Sequence, residues 1–369
     1  MQFGLYLNTQ DPPRAERLRR VYDELFETVA VAEEVGFDAC FLPEHHQQPD
    51  GYLSAPFVMG GAIAARTRRL RINTGIMLLA LWHPLRVAED VAVLDVLSGG
   101  RVGLGVGLGL VEREFHQFGV DIRTAVSRFE EEIELLRLAW TRERFSFHGR
   151  HFRLEDVDVT PKPIQQPWPP IWIGAMSDRA IERAGRVGDG WLTDPLHNLD
   201  TISAWARQYR AAAAKHARPP WIWLQRDVWV TDDPREVERV WAPHLVADWR
   251  FYFNLGFFRS GRFNPGYEAW INDVSSANDI EFDRIRHDRV IAGTPDEVIA
   301  QLERWRQVVA PNGVCFRFRF PDGPDHERTL AAIRLFGREV IPHFRRVGAP
   351  AAPGASGRAP PVPRCSTAC

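Results

Sequence analysis

Four cysteines in 369 residues are too few to staple a chain of this size. Cys40 and Cys315 sit among apolar neighbours, and Cys365 and Cys369 fall in the last segment, so all four read as inert thiols. Charge of one sign is missing too: 46 Lys and Arg against 48 Asp and Glu leave a formal net charge of -2. Without a broad basic field, no nucleic-acid partner is expected. No run of 18 or more apolar residues occurs, which removes a membrane-spanning helix. The opening MQFGLYLNTQDPPRAERLRR lacks the apolar core and small-residue cleavage site of a secretory signal. These absences predict a cytoplasmic protein of ordinary globular composition, 45% hydrophobic and 25% charged.

Short apolar runs alternate with long amphipathic segments, the pattern of parallel strands joined by crossover helices. Strands are predicted at 2–8, 37–42, 70–76, 101–110, 170–175, 190–193, 221–230 and 313–320. Helices are predicted near 15–35, 56–66, 84–98, 125–140, 178–187, 199–216 and 326–345, with Pro84 in a first turn and Gly99-Gly100 as a stop. Thr294 with Glu297 three positions on, and Pro295 between them, spells a capping box before one more helix. Eight strand–helix pairs predict an α/β fold, a (β/α)8 barrel with insertions spanning 1–346. Two stretches interrupt it: an extended excursion at 144–170 and an aromatic-rich segment at 251–290. That second segment holds Phe251, Phe253, Phe257, Phe258, Tyr267 and Trp270 and reads as a lid, a dimer contact or a packed loop. Residues 347–369, rich in Ala, Pro and Gly, hold too little apolar bulk to offset ordering entropy and read as a flexible tail.

The run RVGLGVGLGL (101–110) carries glycine at 103, 105, 107 and 109. A dinucleotide loop must follow a strand and open a helix; this run follows a helix stop and alternates with period two, so it reads as a strand. All four glycines then share the inner face, with Val102, Leu104, Val106, Leu108 and Leu110 on the other. Either the inner wall is bare for a ligand, or the glycines pack beneath bulky neighbouring strands.

In such barrels, chemistry sits at the C-terminal strand ends. PEHHQQ puts Glu44, His45 and His46 at the second exit. Neighbours on an extended chain point to opposite sides, so the two histidines are poorly placed to chelate one ion, and no metal is expected. One imidazole facing the pocket suits general acid–base work. IGAMSDRAIERAG puts Gly174, Ala175, Met176 and Ser177 ahead of a helix N-terminus, a generic anion site, unless Ser177 only caps the helix. His83 either faces the pocket or closes a loop. Arg317 and Arg319 alternate with Phe316, Phe318 and Phe320 and fit structural ion pairs better than an anion site.

In order, FGLYLN, EEVGFDACFLPEHH, INTGIMLLALWHPLRVAEDVAVLDVLSGGR, PIWIGAMSDRAIERAGRVGDGW and AGTPDEVIAQL resemble the bacterial luciferase-like monooxygenase family. The resemblance implies an enzyme that binds reduced FMN, activates dioxygen and oxygenates a small organic substrate, with a separate flavin reductase and a homodimeric state. It makes His45 the catalytic histidine, with Glu44 and His83 as companions. It places a non-prolyl cis peptide at Gly75-Ile76, puts Gly107 and Leu110 against the flavin, and puts Gly174, Ala175, Met176 and Ser177 on the phosphate. Where the light-emitting members carry a reactive cysteine and an arginine, this chain has Gly107 and Leu108, so light emission is not implied and another cation, Arg179, is the candidate for the phosphate. The alternatives are a deazaflavin-dependent hydride-transfer enzyme, a non-catalytic flavin-binding barrel, and a carboxylate-based hydrolase, which would need paired acids where only Glu44 stands.

Overall fold

A computed structural model describes residues 1–257 and 269–346. Eight strands form where the apolar runs predict them: β1 Gln2–Tyr6, β2 Ala39–Leu42, β3 Arg71–Thr74, β4 Val102–Gly107, β5 Ile171–Gly174, β6 Gly190–Leu192, β7 Ile222–Val230 and β8 Gly313–Arg317. Each pairs in parallel with the next, and β8 closes on β1, with Gln2 opposite Gly313 and Leu5 opposite Phe316. The product is a closed (β/α)8 barrel. A short strand, Ile291–Gly293, extends the sheet along the far end of β7.

The helices of the ring include α1 Leu18–Glu34, α2 Pro56–Ala64, α3 Pro84–Ser98, α4 Glu112–Gln117, α5 Ala125–Thr141, α6 Asp178–Val187, α7 Leu199–Lys215 and α8 Ala242–Asn254. α1 starts later than its pattern because the Asp11 carboxylate accepts the Arg17 backbone N–H and holds that turn outside the helix. α3 stops at Gly99, whose φ of 69° is the left-handed cap that glycine adopts without steric cost. Helix Pro295–Val309 carries the expected capping box, the Glu297 carboxylate accepting the Thr294 N–H at 2.8 Å. No helix among the described residues is long and apolar enough to cross a membrane.

Val102, Leu104 and Val106 point outward into the main core beneath the helices, as period two requires. The interior is plugged by aromatics: Phe41 and Trp223 meet edge to face at 5.0 Å, with Trp172 beside them in the same cluster. Small residues make room for them. A Cβ at Gly4 would lie 2.6 Å from the Phe41 ring, and one at Gly313 would collide with Trp223.

The glycine row is therefore corrected. Gly103 packs against the Asn73 and Trp172 side chains and Gly105 against the Thr74 carbonyl, so both are covered rather than bare. The strand ends at Gly107, and Gly109, at φ 78°, has already turned out of it. Only the upper part of the run reaches open space. The excursion at 144–170 contains the antiparallel hairpin Phe145–His148 and Arg153–Val157. Of the 251–290 segment, Phe258 and Tyr267 lie outside the described residues, as does the whole 347–369 stretch with Cys365 and Cys369.

Candidate active site

A cavity of about 520 Å³ opens at the C-terminal ends of the strands. Ligand sites of this kind fall in that volume range. Its floor is Ile76, which follows Gly75 through a cis peptide bond. Two glycines flank Ile76: a Cβ on Gly107 would collide with its Cδ1, and one on Gly174 would lie 2.9 Å from its Cγ2. Leu78, Leu108 and Leu110 add apolar wall, so Leu108 and Leu110 face the cavity rather than the outer helices, because the strand has ended before them.

His45 lines the cavity just beyond β2. Its Nδ1–H donates to Glu114 Oε1 at 3.0 Å, and the same oxygen accepts the His46 backbone N–H at 2.7 Å. Glu114, on α4, is 1% exposed. A carboxylate can only accept, so this bond fixes the imidazole tautomer and leaves Nε2 for exchange with the cavity. The Tyr52 ring meets the imidazole edge to face at 4.7 Å. His46 turns the other way, its Nε2–H donating to Glu44 Oε1 at 2.8 Å.

Glu44 also lines the cavity, yet its oxygens are already engaged: the Leu78 N–H donates to Oε2 at 2.6 Å and Trp82 Nε1–H to Oε1 at 2.8 Å. That network fastens the strand exits, which fits a structural carboxylate better than a catalytic one. His83 is corrected on geometry. It does not line the cavity but caps α3, its Nδ1 accepting the Leu85 N–H at 3.3 Å, and burial followed by the nearby Arg128 charge lowers its pKa.

Gly174, Ala175, Met176 and Ser177 form the wall above β5, as the sequence places them. Ser177 stands at the N-cap of α6 without a side-chain capping bond, so the capping alternative is not used. Arg179 is exposed and outside the cavity; one turn on, Arg183 lines it. Arg183 is half-buried, burial lowers its pKa, and its Nε has no hydrogen-bond partner among the described residues.

Across the cavity, Arg317 is spent on structure, as the ion-pair reading has it: its Nε–H donates to Asp227 at 2.6 Å and its Nη1 lies 2.8 Å from Asp248. Burial pushes Asp248 up to about 7 despite that arginine. Asp194, also on the wall, goes the other way: burial raises it, but the His197 side chain at 2.8 Å and Arg226 hold it down at about 2. No cluster of metal-ligating side chains occurs among the described residues.

Glu114, Arg183 and the cavity tyrosines escaped the sequence reading. For Arg183 a signal existed, because Arg179 and Arg183 are four apart and share a helix face. Glu114 carried only its place beyond a strand exit, in VEREFHQ.

A family model described as luciferase-like monooxygenase matches residues 1–311. The chain is 26% identical over 351 residues to the oxygenase component of the flavin-dependent trigonelline monooxygenase of Acinetobacter baylyi, covering 93% of this chain and 96% of that protein. It is 27% identical over 339 residues to the F420-dependent glucose-6-phosphate dehydrogenase of Microbacterium testaceum, covering 88% of this chain and 94% of that one. Among solved structures, the monooxygenase RslO1 from Streptomyces bottropensis superposes with a TM-score of 0.77 at 26% identity, covering 93% of this chain and all of that one.

Proposed function

The chain belongs to the luciferase-like monooxygenase family of flavin- and deazaflavin-dependent enzymes, and from that premise we propose that it inserts oxygen into a small organic substrate using FMN reduced by a separate reductase. The observation that carries this reading is the pairing, in one cavity, of a glycine-flanked floor at Ile76 with what is, among the described residues, a single uncommitted cation, Arg183. Gly107 and Gly174 make room for the Ile76 side chain, on which a planar ring can lie, and one phosphate is matched by one guanidinium beside the α6 N-terminus. Arg317, the other arginine on the described wall, is already paired with two aspartates, so a longer polyanionic tail, as a deazaflavin carries, finds no second free charge among the described residues.

Reduced flavin, when bound, supplies the activation of dioxygen. The residues of this chain do the rest. Gly174, Ala175, Met176, Ser177 and Arg183 hold the phosphate end, while Gly75, Ile76, Gly107 and Leu110 set the ring plane. His45, fixed by Glu114, holds or moves the proton that the oxygen chemistry requires. The apolar wall and the Phe257 side, which meets the His45 ring at 6.4 Å, exclude water. Tyr252 and Phe257 line the cavity, so the described part of segment 251–290 is the lid in this reading, within a working domain of residues 1–346.

Titration with FMN and with a deazaflavin tests the cofactor: saturable binding of FMN alone is expected, and binding of the deazaflavin alone overturns it. Reduced FMN, labelled dioxygen and a panel of aldehydes, ketones and aromatic compounds then test oxygenation by mass spectrometry. Dioxygen consumption without labelled product from every substrate would favour a flavin-binding barrel over an oxygenase.

A further inference from the structure

Three tyrosines from three separate elements meet on the cavity wall beside His45: Tyr6 at the end of β1, Tyr52 in the loop after β2, and Tyr252 on α8. Their hydroxyls form a chain, Tyr6 to Tyr52 at 3.4 Å and Tyr52 to Tyr252 at 3.0 Å. Three hydroxyl protons serve two bonds, so one proton of the chain is left to donate. Burial raises Tyr6 and Tyr52 well above the usual phenol range and Tyr252 to about 12, so all three stay protonated.

Charge at this end is committed. Arg317 is neutralised by Asp227 and Asp248, so among the described residues no free cation stands beside the tyrosines to draw an anion in. Buried polar groups hold out for a partner because an unmade hydrogen bond in a dry site is costly. We infer that the tyrosine chain is the polar anchor of the substrate, and that it selects an uncharged molecule, apolar for most of its length, with one acceptor oxygen to place against these hydroxyls. This rests on the cavity being the active site. It adds what that reading leaves open: a carboxylate or sulfonate is a poor occupant, and the oxygen-bearing end lies next to the imidazole.

Calorimetric titration with three molecules of one shape tests the inference: 2-acetylnaphthalene, 2-ethylnaphthalene and 2-naphthoate. The ketone is expected to bind about three- to tenfold more tightly than the alkyl compound, the range of one neutral hydrogen bond, and more tightly than the carboxylate. In the triple variant Tyr6→Phe/Tyr52→Phe/Tyr252→Phe, which keeps the three rings, the ketone's advantage should vanish. Equal binding of ketone and alkyl compound, preference for the carboxylate, no binding of any of the three, or an advantage that survives the triple variant overturns the anchor. FMN affinity, titrated on the same proteins, separates the two readings. Intact FMN binding with no ketone preference sinks only the anchor, whereas failure to bind FMN sinks the flavin reading. Wild-type FMN affinity in the triple variant certifies that it has folded.

Discussion

His45 and Glu114 are 69 positions apart, yet they form the contact that fixes the imidazole on the cavity wall. Replacing His45 with Ala should cut turnover by about 10²- to 10⁴-fold, the usual worth of a positioned acid or base, and leave FMN affinity unchanged. Steady-state oxygen uptake and a flavin titration measure the two halves. Arg183 gives the converse prediction. Arg183→Ala should weaken FMN by roughly 10- to 100-fold, as loss of a charge-assisted bond of about 1.5–3 kcal/mol implies, and leave riboflavin, which has no phosphate, unaffected. Equal weakening of both would remove Arg183 from the phosphate. At this scale the sequence was half legible. Glu44, His45 and Ser177 stand at strand exits, where topology alone puts them near the site. Glu114 and Arg183 come from helices, whose side chains reach the cavity only by an angle that three-dimensional packing sets.

Elements were read more fully than residues, because period two and period 3.6 are written directly in the order of apolar side chains. All eight strands and the Thr294 capping box follow from that order. What alternation does not encode is where a strand stops and what covers its inner face. β4 ends at Gly107, and the neighbours that fill the space over Gly103 and Gly105 come from β3 and β5. Gly105→Ala should therefore cost about 1–3 kcal/mol or more, because its Cβ would meet the backbone carbonyl of Thr74, which has no rotamer to escape by. Gly61→Ala, inside α2 with nothing within 4 Å of its Cβ, should instead gain about 0.5–1 kcal/mol. Chemical denaturation of the two variants side by side checks both signs.

For the whole molecule, the outer face of α2 and α3 leaves Val58 78% and Leu97 67% exposed, with Val93 and Val96 beside them. Exposed apolar side chains on two neighbouring helices suit a contact surface, and the dimer that the family resemblance implies is expected to bury them. Leu97→Asp should convert the protein to a monomer in sedimentation analysis. Stability should also depend on pH through Glu132, whose oxygens accept no hydrogen bond. Burial raises it to about 9 against the pull of Arg128 at 3.2 Å, whereas the unfolded chain releases this proton near 4.5. Between those values the unfolded form binds fewer protons, so stability falls as pH rises across the window. Glu132→Gln should flatten that fall, seen as a smaller drop in Tm from pH 5 to pH 8 than in the parent chain.

The pairing of β8 with β1 also governs how the chain is made. β1 leaves the ribosome well before its second neighbour, Gly313–Arg317, so while the residues between them are made the nascent sheet is an open fan with two unsatisfied edges. Partly made chains are thus the species most prone to pair with one another, and slow translation or truncation before Gly313 should show itself as aggregation rather than as loss of activity.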